Sequence, residues 1–178
     1  NPLAASVLKS AISSDAQGRS WNVPREIATL DKVAVKLDLQ RTANRLLLLW
    51  MQPTDTILSE VRAIRLATSA TLGNWNAPQT LFTAANNLVD FRFVTSPAFS
   101  NIRFALTARH RDGWLYGWEY LSGFQSITDF GERHSILPAI AYDSAGNVLK
   151  AEYSPGDAAI LLSRYQQNTW TELASFPQ

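Results

Sequence analysis

The segment from Gly113 to Tyr120 has the clearest potential for chemistry, because it holds four aromatic residues in alternate positions. Side chains of an extended strand alternate between its two faces, so these four share one face: Trp114, Tyr116, Trp118 and Tyr120. Flat rings with polar rims stack against sugar rings. Arg109 and Arg111 precede the segment and offer donors to hydroxyl or carboxylate groups. If the face is exposed, the segment predicts a carbohydrate-binding surface.

The same pattern has a structural alternative. Large aromatic side chains on a sheet that packs against another sheet are commonly core residues. Gly113 and Gly117 would then mark a close approach of the adjoining sheet. Both interpretations stay open at the level of sequence.

The sequence contains no residue pattern typical of a metal site or of an acid–base pair. Cysteine is absent, and the two histidines, His110 and His134, stand 24 positions apart with no spacing typical of metal ligands. The fifteen acidic residues form no recognisable pair for glycoside hydrolysis, and no Gly-rich phosphate loop occurs. We therefore expect no metal and no cofactor.

The elements that carry these residues are predicted to be strands. Residues 33–38, 89–94 and 102–107 alternate or are rich in β-branched and aromatic residues. Arg45 to Met51 is apolar on both faces, which is typical of an inner strand in a sheet covered on each side. Residues 143–147 and 154–157 contain the Gly, Pro, Asn and Asp of tight turns.

An internal repeat organises these strands. Gly18, Trp21 and Pro24 return as Gly73, Trp75 and Pro78, with Trp75 following Trp21 by 54 residues. Weaker copies place Phe130 and Trp170 at the Trp position. Each interval leaves room for four short strands, which is the size of a β-propeller blade.

The first copy resembles the Asp-box (BNR repeat) of sialidase-like β-propellers. Ser13, Asp15, Gly18 and Trp21, followed by Pro24, fit the pattern Ser-x-Asp-x-Gly-x-Thr-Trp-x-x-Pro with one extra residue before the glycine. The second copy keeps Ser69, Gly73 and Trp75 but has Thr71 at the Asp position. The resemblance implies a secreted or cell-surface protein. It also implies that the box lies between the third and fourth strands of a blade, away from the active site.

Elementary chemistry gives the box a structural role. The Ser and Asp side chains accept hydrogen bonds from local backbone N–H groups, and glycine takes a φ that other residues resist. The tryptophan is expected to plug the blade. Direct contact of these residues with substrate is the minor alternative.

The chain is therefore predicted to be all-β and to contain about three and a half propeller blades of four-stranded antiparallel sheets. Residues 1–30 form a partial blade of two strands, and residues 31–83, 84–135 and 136–178 form one blade each, in one continuous domain. Such a set cannot close a ring unaided. We expect a fragment of a longer chain or a homodimer that completes the ring, with a compact four-bladed ring as a further alternative.

Charge and composition narrow the function. Sixteen basic and fifteen acidic residues leave a net charge of +1, which predicts neither nucleic-acid binding nor membrane binding, and no apolar run is long enough to span a bilayer. The chain begins without methionine, which suggests a processed or excised piece. The main hypothesis is a non-catalytic extracellular recognition or scaffold module that binds carbohydrate or a cell surface.

Two alternatives remain open. A sialidase-like hydrolase would require an Arg cluster with a Tyr–Glu pair, and the twelve arginines are compatible with it, but no Arg-Ile-Pro string is present. None of Arg45, Arg92, Arg103 or Tyr153 can be assigned a catalytic role from the sequence. A purely structural or protein-interaction propeller is the other alternative.

Overall fold

The fold is all-β and is built from antiparallel sheets. A computed structural model describes residues 6–30, 32–42, 45–53, 62–71, 74–84, 88–96, 103–111, 114–121, 124–133, 138–167 and 169–177. Within these residues the chain forms strands and turns and no helix. The chain divides into two compact units, Asn1–Asn87 and Leu88–Gln178.

The first unit contains two sheets. The small sheet pairs β1 (Ser6–Ser10) with β2 (Arg25–Leu30). The strands of the second sheet are β3 (Lys36–Arg41), β4 (Leu46–Pro53), β5 (Arg62–Thr71), β6 (Asn74–Trp75) and β7 (Gln79–Ala84). The order is β3-β4-β5, and β6 and β7 both pair with β5, at successive positions along it.

The core of the first unit lies between these two sheets. It contains Ile27 and Leu30 from β2 together with residues of β4 and β5, namely Leu48, Trp50 and Ala67. Leu47 and Leu49, on the alternate positions of β4, are also fully buried. The sequence prediction that residues 45–51 form an inner strand covered on both faces is confirmed. The strand predicted at residues 33–38 starts later, at Lys36, and continues to Arg41.

The second unit contains two four-stranded antiparallel sheets, each connected in simple sequential order. The first has β8 (Leu88–Thr95), β9 (Arg103–His110), β10 (Trp114–Leu121) and β11 (Phe124–Arg133). The second has β12 (Ala139–Tyr142), β13 (Val148–Ser154), β14 (Ala159–Gln166) and β15 (Thr169–Pro177). Strand β12 lies next to β8 and β9.

The core of the second unit contains three phenylalanines among aliphatic residues. Phe91 and Phe104 are fully buried, and Phe93 meets Phe104 edge-on with ring centroids 5.8 Å apart. The predicted turns at 143–147 and 154–157 are both present between strands. Asp143 accepts backbone hydrogen bonds from Ala145 and Asn147, at 2.9 and 2.8 Å, and Gly146 takes a φ of 82°. A residue with a side chain would be strained at that φ, so the glycine suits this turn.

The predicted fold class is confirmed: the protein is all-β with sequentially connected four-stranded antiparallel sheets of the kind found in propeller blades. The sheets span residues 6–30, 36–84, 88–133 and 139–177. The assignment of one continuous propeller domain, its blade number and its ring closure stay predictions.

Candidate functional site

The turn between β1 and β2 is held together by Ser13 and Asp15. The Asp15 carboxylate accepts backbone hydrogen bonds from Gln17, Arg19 and Ser20 at 2.9, 3.0 and 2.6 Å. The Ser13 hydroxyl donates to the Asp15 carbonyl at 2.5 Å. Gly18 has a φ of 69°, in the left-handed region that favours glycine. These contacts are all local, as the structural interpretation of the motif requires.

The same hydrogen bonds recur at the second copy of the repeat. Ser13 forms a bridge with Trp21 and donates to the Ser20 carbonyl at 3.2 Å. Ser69 likewise pairs with Trp75 and donates to the Asn74 carbonyl at 2.7 Å. The following residue bonds back across the hairpin in both copies: Asn22 N–H donates to Ile12 at 2.9 Å, and Asn76 N–H to Thr68 at 2.8 Å. Gly73 lies outside the described residues.

The two tryptophans of the repeat differ in burial. Trp75 packs against the core of the first unit, and its indole N–H donates to the Ser10 hydroxyl at 2.9 Å. Trp21 is 62% exposed and donates its indole N–H to the Gly18 carbonyl at 3.0 Å. The expectation that the tryptophan plugs the blade is therefore wrong for Trp21, whose ring closes its own turn. Among the residues that the structure describes, no second sheet packs on Trp21 as the small sheet packs on Trp75.

Asp15 has a lowered pKa, mainly because the Arg19 backbone N–H stabilises its charged form. The carboxylate stabilises the folded chain above its ordinary pKa of 3.8. Since the folded-state pKa is lower still, this contribution is lost as the pH falls through that lower value.

We expect Asp15→Ala to loosen the turn, because three backbone N–H groups lose their acceptor. Hydrogen exchange should show faster exchange of the Gln17, Arg19 and Ser20 amides at neutral pH. In the wild type, these amides should lose their protection only when the pH is low enough to protonate Asp15. Asp157→Ala is the control, since Asp157 accepts a hydrogen bond from the Ser154 hydroxyl in a different turn. Unchanged exchange in Asp15→Ala would contradict the assigned role.

The predicted ligand-binding residues lie on the hairpin formed by β9 and β10. The β10 backbone pairs with β9 without a bulge, with Tyr116 opposite Ala108, Trp118 opposite Leu106 and Tyr120 opposite Phe104. The three partner positions on β9 are all buried, namely Phe104, Leu106 and Ala108. Tyr120 is half-buried and stacks on Phe104, with ring centroids 5.0 Å apart and an interplanar angle of 6°. This stacking fits the core interpretation for Tyr120.

Arg109 and Arg111 lie at the end of the same hairpin that leads into β10. Arg109 is half-buried and sits opposite Leu115, while Arg111 is exposed in the turn. The side chains of Trp114, Tyr116 and Trp118 lie outside the described part of the structure. The hairpin thus brings two arginines to the start of the aromatic strand, as the sequence order requires.

A partly buried polar cluster in the second unit was not predicted from the sequence. Arg103 Nε donates to Glu119 Oε1 at 2.6 Å, and the Tyr142 hydroxyl donates to the same oxygen at 3.0 Å. The guanidinium also lies over the Tyr142 ring, 5.5 Å from its centroid. The Arg103 and Glu119 side chains are 19% and 9% exposed. Arg103, Glu119 and Tyr142 come from β9, β10 and β12, so the cluster joins two sheets.

The electrostatics of the cluster favour the neutral form of Tyr142. Burial raises the pKa of Tyr142, and the negative charge of Glu119 raises it further. Glu119 is meanwhile engaged by both partners.

A second set of polar contacts lies on β13 to β15. Lys150 forms an ion pair with Glu152, and its ammonium lies 4.9 Å from the centroid of the Trp170 ring. Tyr165 contacts the same ring at 5.2 Å between centroids. Burial raises the pKa of Tyr165, with a smaller contribution from the Glu119 charge. These contacts explain how the buried Lys150 is accommodated.

The described residues contain neither a cluster of metal ligands nor a membrane-spanning helix. Across the described ranges, no three His, Asp or Glu side chains group as a metal site. His110 is buried in β9, and His134 lies outside the described residues. In the part of the chain that the structure describes, no helix is long and apolar enough to cross a membrane.

These features define a class of protein: an all-β chain of blade-like sheets with tight turns that are held by hydrogen bonds within the turn. Comparison with known proteins finds no family that matches the chain and no curated protein that is significantly similar to it.

Proposed function

We propose that this chain is a non-catalytic recognition scaffold of β-propeller blades, related to the sialidase-like Asp-box superfamily, that binds carbohydrate outside the cell. Arg111, exposed beside the half-buried Arg109 at the start of β10, supports this proposal most directly. Guanidinium groups bind carboxylates and vicinal hydroxyls through paired hydrogen bonds. An acidic sugar is therefore the favoured ligand.

The non-catalytic part of the proposal rests on the polar cluster. Arg103 and Tyr142 both donate to Glu119, so the hydrogen bonds of the cluster are made between two sheets of the fold. The Asp15 carboxylate likewise accepts three hydrogen bonds from backbone N–H groups of its own turn. The described polar clusters thus serve the fold.

The proposal predicts that Arg109→Ala/Arg111→Ala weakens binding of an acidic oligosaccharide by about tenfold or more, because hydrogen bonds to charged groups contribute roughly 1.5–3 kcal/mol each. A glycan array on the full chain first identifies the best acidic and neutral sugars. Calorimetry with the wild type and the double variant then measures the two affinities.

Arg19→Ala/Arg92→Ala is the control, because it removes the same charge from two arginines that lie exposed elsewhere on the chain. Equal losses in both double variants would point to a nonspecific charge effect and contradict the proposed site. Absence of glycan binding by the wild type would contradict the carbohydrate ligand.

The hydrolase alternative is favoured by one observation, the proximity of Arg103, Glu119 and Tyr142. In the family that the chain resembles, an Arg cluster and a Tyr–Glu pair perform the reaction. Hydrolysis of a fluorogenic sialoside that disappears in both Glu119→Gln and Tyr142→Phe, with the fold intact by circular dichroism, would replace the recognition proposal.

A further inference from the structure

An acidic residue lies beside Arg109 in the second unit. Asp90 on β8 pairs directly opposite Arg109 on β9, so the two side chains share one face of the sheet, with Cβ atoms about 4.5–5.5 Å apart. Both residues are half-buried, and Arg111, two positions further on, is exposed in the turn that follows β9. The strand register therefore adds a carboxylate to the two arginines at this end of the hairpin.

The Asp90 carboxylate is held close to its own strand. Its Oδ1 atom accepts a hydrogen bond from the Phe91 backbone N–H at 2.9 Å. Phe91 is fully buried, so this bond ties the carboxylate to the backbone of a core residue. A carboxylate can accept about four hydrogen bonds, so its capacity extends beyond the contact with Phe91. Asp90 can therefore accept hydrogen bonds from a ligand at a defined position beside Arg109.

Asp90 and Arg109 have opposite hydrogen-bonding capacities. An ionised carboxylate only accepts hydrogen bonds, and a guanidinium only donates them. A hydroxyl group does both, so two neighbouring hydroxyls of a sugar can donate to Asp90 and accept from Arg109 at the same time. A sulfate ester only accepts, and the charge of Asp90 repels it. The pair therefore favours a diol over an oxyanion, while the Arg111 guanidinium suits a carboxylate.

We propose that Asp90 is a specificity-determining residue of the carbohydrate site, and that the site takes an unsulfated uronic acid. The sugar carboxylate binds Arg111, and adjacent hydroxyls of the same ring bind Asp90 and Arg109. This inference rests on the proposed function, since it names the ligand class of the same two arginines. A sulfate ester on those hydroxyls would remove the donors that Asp90 accepts and would place a like charge beside it.

The test is calorimetry on the full chain with two probes, an unsulfated oligosaccharide of glucuronic acid and the same oligosaccharide carrying sulfate esters. The wild type should prefer the unsulfated probe. Asp90→Asn keeps the size of the side chain but removes its charge, so it should bind the unsulfated probe more weakly and the sulfated probe more tightly. We expect the ratio of the two affinities to fall by about tenfold or more. A purely structural role of Asp90 would weaken both probes alike and leave this ratio unchanged.

Asp38→Asn is the matched control for this experiment. Asp38 is also half-buried on a strand, but it pairs opposite Leu49 in the first unit. The substitution makes the same change in charge and size, so the preference between the two probes should stay as in the wild type. Circular dichroism verifies that both variants fold.

Three results would overturn the inference while the proposed function stands. The first is a wild type that prefers the sulfated probe, or that binds other glycans but neither probe. The second is a preference that Asp90→Asn leaves unchanged, and the third is an equal change of preference in Asp38→Asn. If the wild type binds no glycan at all, the proposed function fails and the ligand class fails with it.

Discussion

Replacing Glu119 by leucine is expected to lower the free energy of unfolding by about 3 kcal/mol, because it removes the acceptor of two hydrogen bonds, one of them within an ion pair. Arg103 would lose its 2.6 Å contact, and the Tyr142 hydroxyl would lose its acceptor. Urea denaturation followed by circular dichroism measures the change.

Glu172→Leu is the control for this experiment, because Glu172 is exposed on β15 in the same unit. Its effect should stay within about 0.5 kcal/mol. Arg103→Met/Glu119→Leu should recover part of the loss, since both positions are then apolar. If the double variant is as unstable as the sum of the single variants, the ion pair does not couple these positions.

Much of the fold could be predicted from local patterns. The apolar run at 45–51 marks a buried strand, and the Gly and Asn of residues 143–147 mark a turn, because both signals arise from interactions between near neighbours. Recurrence of Trp21 as Trp75 predicted a repeat whose hydrogen bonds the structure shows in both copies.

The polar cluster could not be predicted because it depends on register between strands. Arg103, Glu119 and Tyr142 are separated by 16 and 23 residues along the chain, and alternation alone does not say which residues of β9, β10 and β12 meet. One signal was present: Glu119 is an acid within the aromatic segment 114–120. A buried acid in such a strand requires a cation or donor nearby.

The burial of the two repeat tryptophans also could not be predicted from the sequence. Trp21 and Trp75 occupy the same position of the repeat, yet one is mostly exposed and the other packs into a core. What differs is whether an adjacent sheet covers the ring, which is a property of the assembly of sheets. A sequence motif therefore specifies the turn but not what surrounds it.

The core of the first unit should depend strongly on Trp50. Its side chain is fully buried with Leu48, Ala67 and the residues of β2, and its indole N–H donates to Gln52 Oε1 at 2.7 Å. Trp50→Ala removes this packing and leaves a large cavity, so we expect a loss of about 3–5 kcal/mol. Because whole domains have stabilities of only about 5–15 kcal/mol, this loss could unfold the unit.

Denaturant titration and hydrogen exchange of the β4 amides measure the effect of Trp50→Ala. Trp21→Ala is the matched control, since it removes the same side chain from a position that is 62% exposed and should cost about 1 kcal/mol or less. Trp50→Phe should fall between the two, because it keeps part of the packing but loses the hydrogen bond to Gln52. Equal losses for Trp50→Ala and Trp21→Ala would mean that the sheets of the first unit do not pack through Trp50.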